Sequence, residues 1–148
     1  MSGCYLDTSA LAKWYVEEPG SEAFEAFVNA TPERRISRLV TVELRSLLAR
    51  RRRAGEVDVD YETNAWATFT THVAAGVFAV EPIPDARFNE ARELIDALPD
   101  IPLRTLDALH LAAARAMDAG TVATADIVMR TAAEVLGLKV EFFGTERR

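Results

Sequence analysis

The sequence predicts an α/β fold, a three-layer α/β/α sandwich with a mainly parallel central sheet. Apolar runs of four or five residues recur between longer amphipathic stretches, the two kinds alternate along the whole chain, and Pro or Gly marks many of the junctions. Strands alternating with helices imply right-handed crossovers, and these place helices on both faces of a parallel sheet.

Gly3 to Leu6 is short and mostly apolar, stops at Asp7, and is followed by Thr8-Ser9-Ala10-Leu11, so a strand is expected to feed directly into a helix. That helix is expected to run to about Glu18, where Pro19-Gly20 breaks it, and a second begins at Ser21 with Phe24, Phe27 and Val28 on one face. Ile36 to Val40 reads as the next strand. From Val42 onward Leu44, Leu47 and Leu48 recur at helical spacing up to an arginine run, with Gly55 as the stop. Asp58 or Asp60 caps the following helix, whose stripe is Tyr61, Ala65, Phe69 and Val73 and whose end is near Gly76. Val77 to Val80 is a third strand, closed by Pro82 and Pro84. A helix with Ala91, Leu94, Ile95 and Leu98 inward follows, and Pro99 and Pro102 punctuate the chain again. Thr105 reads as the cap of a helix carrying Leu106, Leu109, Ala113 and Met117, which stops at Gly120. Thr121 to Thr124, Asp126 to Leu136 and Leu138 to Phe142 complete the pattern as strand, helix and strand.

A chain of 148 residues is of single-domain size, and one domain over residues 1–148 is expected. With 49% hydrophobic and 27% charged residues it is too apolar for intrinsic disorder. No window is apolar enough to cross a membrane, and the start has neither a basic region nor an apolar signal core, which predicts a cytoplasmic protein with no membrane partner. Cys4 is the single cysteine, so no internal disulfide and no cysteine-based zinc cage can form. The net charge of −6 runs against a nucleic-acid binder, yet Arg34, Arg35, Arg38, Arg45 and Arg50 to Arg53 crowd one twenty-residue stretch. Charge is therefore segregated along the sequence.

Four acids stand out: Asp7, Glu43, Asp107 and Asp126. Each has a simple reading as a helix cap or as a charge that complements a helix dipole. Jointly, all four sit where the chain is expected to enter a helix, and Asp7 and Asp126 fall at the carboxyl ends of strands, where open parallel sheets gather ligands. Clustered carboxylates raise one another's pKa unless a cation is present, and oxygen-only ligation suits Mg²⁺ or Mn²⁺. One or two such ions would activate water against a phosphodiester.

Tyr5-Leu6-Asp7-Thr8-Ser9-Ala10-Leu11, Val42-Glu43-Leu44, Thr105-Leu106-Asp107-Ala108-Leu109-His110-Leu111-Ala112 and Thr124-Ala125-Asp126 resemble, in order and spacing, the four acidic motifs of PIN-domain ribonucleases, specifically VapC-type toxins of toxin–antitoxin pairs. The resemblance spans essentially the whole chain. It implies an α/β/α sandwich, Mg²⁺- or Mn²⁺-dependent hydrolysis of an RNA substrate, homodimerisation, and inhibition by a small cognate antitoxin protein that also binds DNA. It further implies that Asp7, Glu43 and Asp107 hold the principal metal and that Asp126 completes the pocket. Ser9, Thr105 and Thr124 would orient ligands or water, or serve as caps and turn residues.

Arg50-Arg51-Arg52-Arg53 would contact RNA phosphates or an acidic partner, or form a solvated face that complements the helix dipole. His110 stands one turn from Asp107 and reads as packed rather than catalytic, and Trp14, Tyr15, Tyr61 and Trp66 read as core or dimer contacts rather than base-stacking platforms. A receiver-like phosphoacceptor would need an acidic pair after the first strand, and an aspartyl phosphatase a second acid where Ser9 stands. A housekeeping RNA-processing nuclease or a non-catalytic binding module on the same fold remain the alternatives.

Overall fold

A computed structural model describes residues 3–145. In chain order the elements are β1 (Cys4–Leu6), α1 (Thr8–Leu11), a 3-10 turn (Ala12–Trp14), α2 (Ser21–Asn29), β2 (Arg34–Ser37), α3 (Arg38–Arg53) and α4 (Val59–Ala74). There follow β3 (Ala79–Glu81), α5 (Asp85–Ala97), α6 (Thr105–Ala116), β4 (Thr121–Thr124), α7 (Ile127–Val135) and β5 (Lys139–Phe142). The five strands form one sheet in the order β3-β2-β1-β4-β5, and every pair is parallel. The chain lays β2 and β3 to one side of β1, then crosses to place β4 and β5 on the other. The direction of winding reverses between β1 and β4, and in parallel sheets the crevice beyond the strand ends at such a switch is where ligands bind.

Side chains alternate across the sheet, so each central strand feeds both layers. Cys4 and Leu6 of β1, with Ile36 and Ala123, pack with Leu11, Phe24, Val28, Val40, Leu44, Leu48 and Phe69 on one face. Tyr5 and Val122 point the other way, against Ala113 and Ala114 of α6. That layer continues as Leu109, Leu111 and Ala112 packed with Ala91 and Leu94 of α5 and with Met129, Ala132 and Ala133 of α7. Helix α6 is buried from Asp107 to Ala114, because it lies between the sheet and both neighbouring helices, and its small residues Ala108, Ala112, Ala113 and Ala114 permit the close approach. Among the described residues no helix is long and apolar enough to cross a membrane.

The expected α/β/α sandwich is observed, with several local differences. The first helix does not reach Glu18. It is four residues of α-helix and one 3-10 turn, and the segment after it is tied down by buried Lys13, whose Nζ donates to Glu18 Oε1 at 3.1 Å and to Pro19 O at 2.6 Å. β2 begins and ends earlier than Ile36–Val40, and α3 starts at Arg38 rather than Val42. The reason is that Val40, Leu44 and Leu48, four residues apart, form one fully buried helical stripe. β3 is Ala79–Glu81 rather than Val77–Val80, and Asp58 is the cap of α4. Ile95 and Leu106, expected inward, are 40% and 44% exposed. Helix α6 is capped at Arg104, not Thr105. Tyr15 is buried, Trp14 and Trp66 pack against the core, and Tyr61 spans to the chain before α2 by donating to Tyr15 O at 3.2 Å.

Candidate functional site

Asp7 follows β1 directly, still extended at φ −80° and ψ 168°, with its N–H donating to Ala123 O of β4 at 3.1 Å. Its side chain is 3% exposed. One carboxylate oxygen accepts from Ala10 N–H at 3.0 Å and from Ser9 Oγ at 2.7 Å. The other accepts from Thr124 Oγ1 at 2.6 Å. Ser9 Oγ in turn accepts from Ala125 N–H at 2.9 Å, and Thr124 Oγ1 from Asp126 N–H at 3.0 Å. The ends of β1 and β4 are thus laced together through two hydroxyls around one carboxylate. Burial raises the Asp7 pKa above the ordinary carboxylate value, and the nearby His110 and these three donors offset it only in part.

Asp126 caps α7, its Oδ1 accepting from Val128 N–H at 2.8 Å and Met129 N–H at 3.3 Å. Asp107 is the third residue of α6, and its Oδ2 accepts from the Arg104 N–H at 3.3 Å, the reciprocal half of a capping box. Burial raises the Asp107 pKa. The Arg104 amide and guanidinium lower it, and Asp126 raises it further. Capping and cavity-lining are therefore joint properties of Asp107 and Asp126, each of which accepts from amides at a helix start and lines the cavity.

Glu43 differs. Since α3 starts at Arg38, Glu43 lies in its second turn, beyond the reach of the helix N-terminus. Its Oε1 accepts from Thr8 Oγ1 at 2.5 Å and stands 2.6 Å from His110 Nε2. A carboxylate only accepts, so Nε2 carries the proton and donates. His110 Nδ1 is 2.7 Å from Tyr5 Oη, which is 2.9 Å from Ser37 Oγ. A buried chain of polar groups therefore runs Ser37–Tyr5–His110–Glu43–Thr8. Burial opposes ionisation of Glu43, but the bond and charge of His110, the Thr8 hydroxyl and Arg50 outweigh it and hold the carboxyl below its usual value.

All four acids line one cavity of about 340 Å³, together with Thr8, Ser9, Arg50, Arg104 and His110. Arg104 lies across two of them, Nε at 3.6 Å from Asp107 Oδ2 and a terminal nitrogen at 3.7 Å from Asp126 Oδ2. Among the described residues no group of three or more His, Cys, Asp or Glu side chains is drawn together closely enough to hold a metal as it stands. The donor chemistry nevertheless fits a hard divalent cation: oxygen only, two carboxyls destabilised by burial, and no thiolate.

Ser9 and Thr124 orient Asp7, as expected of them, whereas Thr105 is exposed at the first position of α6 and does not line the cavity. His110 is packed, as its setting suggested, and its two ring nitrogens are both committed to the site. Sequence reasoning missed Tyr5, Thr8, Ser37 and Arg104. Of these, Arg104 alone had a local signal, standing three residues before Asp107.

A family model described as the PIN domain matches residues 4–135. The chain is 33% identical over 144 residues to Ribonuclease VapC46 of Mycobacterium tuberculosis strain H37Rv, covering 95% of this chain and 97% of that one. The crystal structure of Mycobacterium tuberculosis VapC20, a sarcin-ricin loop cleaving toxin, matches with a TM-score of 0.70 at 18% identity, covering 87% of this chain and 94% of that one. VapBC2 of Rickettsia felis, solved bound to a DNA fragment from its promoter, matches with a TM-score of 0.65 at 17% identity, covering 94% and 97%. At those identities the structural likeness establishes the fold.

Proposed function

This chain belongs to the PIN-domain family, and on that premise we propose that it is a metal-dependent endoribonuclease that hydrolyses RNA phosphodiesters as the toxin of a toxin–antitoxin pair. The observation that carries the reading is the convergence of Asp7, Glu43, Asp107 and Asp126, from four separate segments, on one cavity at the switch point of the sheet. The relative VapC46 is a ribonuclease by name, and the neighbour in fold VapC20 is described as a sarcin-ricin loop cleaving toxin.

In this reading the four carboxylates hold Mg²⁺ or Mn²⁺. The bound ion supplies activation of a water for attack on phosphorus and stabilisation of the departing oxygen. The residues of the chain set the geometry. Ser9 and Thr124 fix both oxygens of Asp7, His110 and Thr8 aim Glu43, and the amides of Val128 and Met129 pin Asp126. Such outer partners hold ligands in position and raise their basicity. The protein acts in the cytoplasm as a homodimer, restrained by a small antitoxin; the Rickettsia felis neighbour, solved as VapBC2, supports the antitoxin partner.

The test is cleavage of a mixed pool of structured RNAs by purified protein with Mg²⁺ or Mn²⁺, with EDTA, and beside Asp7→Asn. Metal-dependent cutting that Asp7→Asn abolishes is expected. Cutting that persists in EDTA, or in a folded Asp7→Asn protein, overturns the mechanism. Growth arrest on expression, lost with Asp7→Asn, separates a toxin from a housekeeping RNA-processing nuclease, which would cut RNA without arresting growth. Light scattering of the purified protein reports the homodimer.

A further inference from the structure

Resting on the ribonuclease reading above, we propose that Arg50 and Arg104, from two separate helices lining the acidic cavity, are the phosphate-binding residues of this site and grip the RNA backbone there. An RNA strand meets four carboxylates there, and a chain of net charge −6 gives no general attraction. Cations at the rim must supply it.

The arginine run divides by helix geometry. Glu43, Leu47 and Arg50 are spaced by four and three residues, so they share one face of α3, and all three line the cavity. Arg51 and Arg52 are turned off that face by about 100° per residue. Arg51 pairs with Glu18 and with Glu56, and Arg52 with Glu62 at 2.5 Å, where Arg45 also binds at 3.1 Å. These three arginines tie α3 to its neighbours. Arg50 is exposed and makes no ion pair among the described residues.

Arg104 enters the same cavity from a different element, at the start of α6. It is 79% exposed, and its distances of 3.6 and 3.7 Å to Asp107 and Asp126 are those of a loose ion pair rather than a charge-assisted hydrogen bond. Exposed pairs of this kind contribute little, so releasing the guanidinium to a phosphate is cheap once those carboxylates bind another cation. Its planar fork then matches a phosphate bidentately. The cap of α6 uses the Arg104 backbone N–H, so Arg104→Ala keeps the helix start.

The experiment uses the Asp7→Asn protein in Mg²⁺, which removes cleavage, and measures binding of a fluorescein-labelled single-stranded RNA by anisotropy across a KCl series. In that background Arg50→Ala and Arg104→Ala are each expected to flatten the slope of log K against log [salt] by about 0.7, the loss of one phosphate contact on a single strand. Arg50→Lys is expected to restore most of the slope, because the charge is kept. Arg92→Ala, exposed on α5 and outside the cavity, is expected to change nothing. Slopes that stay at the parent value in both alanine variants overturn the proposal while leaving the ribonuclease reading intact. A parent protein that binds no RNA at any salt overturns both.

Discussion

His110 Nε2 lies 2.6 Å from Glu43 Oε1, on a side chain buried at 4% exposure whose other ring nitrogen is 2.7 Å from Tyr5 Oη. The histidine is therefore a positioning residue that connects the sheet interior to one cavity acid. His110→Ala leaves Tyr5 and Glu43 without their partner. We expect a stability loss of about 1–3 kcal/mol for the unsatisfied buried groups. We also expect a roughly 10- to 100-fold weaker Mn²⁺ affinity by calorimetry, the usual effect of losing a ligand's outer partner. Unchanged Mn²⁺ affinity in a folded variant would show that His110 only fills space.

Asp7 carries the cost of the site. Its folded pKa is raised by burial, so the sign is that of a group whose favourable contribution is present below the unfolded carboxylate pKa and is lost as pH rises through the folded value. At pH 7 without metal, the buried carboxyl of Asp7 therefore lowers the stability of the fold. Asp7→Asn is expected to raise Tm at pH 7 in EDTA by about 2–4 °C, the shift that ~1 kcal/mol gives in a chain of this size, while abolishing cleavage. Adding Mg²⁺ should raise the wild-type Tm by more than it raises the variant's, which keeps three of the four cavity carboxylates. A variant that melts lower than wild type in EDTA would show that the donors around Asp7 more than compensate its burial.

Asp7, Asp107 and Asp126 were legible in the sequence because each stands where a chain enters a helix, two of them just beyond an apolar run. Glu43 reads from the sequence as a first-turn acid of its helix, whereas the structure places it in the second turn. Apolar Ile36 to Val40 reads as a strand until the spacing of Val40 with Leu44 and Leu48 is given precedence, and that moves the helix start from Val42 to Arg38. Tyr5, Ser37 and His110 meet across separations of 32 and 105 residues, a relation that no local pattern records. Side-chain preference points to Thr105 as a cap, but the carboxylate of Asp107 reaches back to the amide of Arg104 and makes the capping contact itself. Leu106, read as inward, is 44% exposed and lines the acidic cavity instead.

Glu62 ties α4 to α3 by accepting from Arg52 Nε at 2.5 Å and from Arg45 at 3.1 Å. Burial works against its ionisation, but the bonds and charges of Arg45 and Arg52 prevail and hold its pKa below the ordinary value. A depressed carboxylate stabilises above its unfolded pKa and loses that contribution as pH falls through the folded one. Glu62→Gln should therefore melt below wild type at pH 7 and converge with it as pH falls below the ordinary carboxylate range, in a Tm series from neutral to acid. A constant offset at every pH would assign the effect to packing.

Gly144 is glycine for room rather than for conformation. A Cβ built there would fall 2.2 Å from Ala125 O and 2.7 Å from the tip of the Phe142 ring. Ala125 is the residue between Thr124 and Asp126, and its N–H donates to Ser9 Oγ, so the segment Gly144 presses on carries two of the cavity's hydrogen-bonded anchors. The backbone oxygen cannot give way as a flexible side chain would. Gly144→Ala must displace the β4 end and with it the hydroxyls that fix Asp7. We expect a loss of about 1–3 kcal/mol, the range for overpacking a well-packed site, and a fall in cleavage larger than that of a distant substitution with equal stability loss, such as Leu94→Val in α5. Matching activity in the two variants at equal stability would show that the β4 end absorbs the added methyl without moving Asp7.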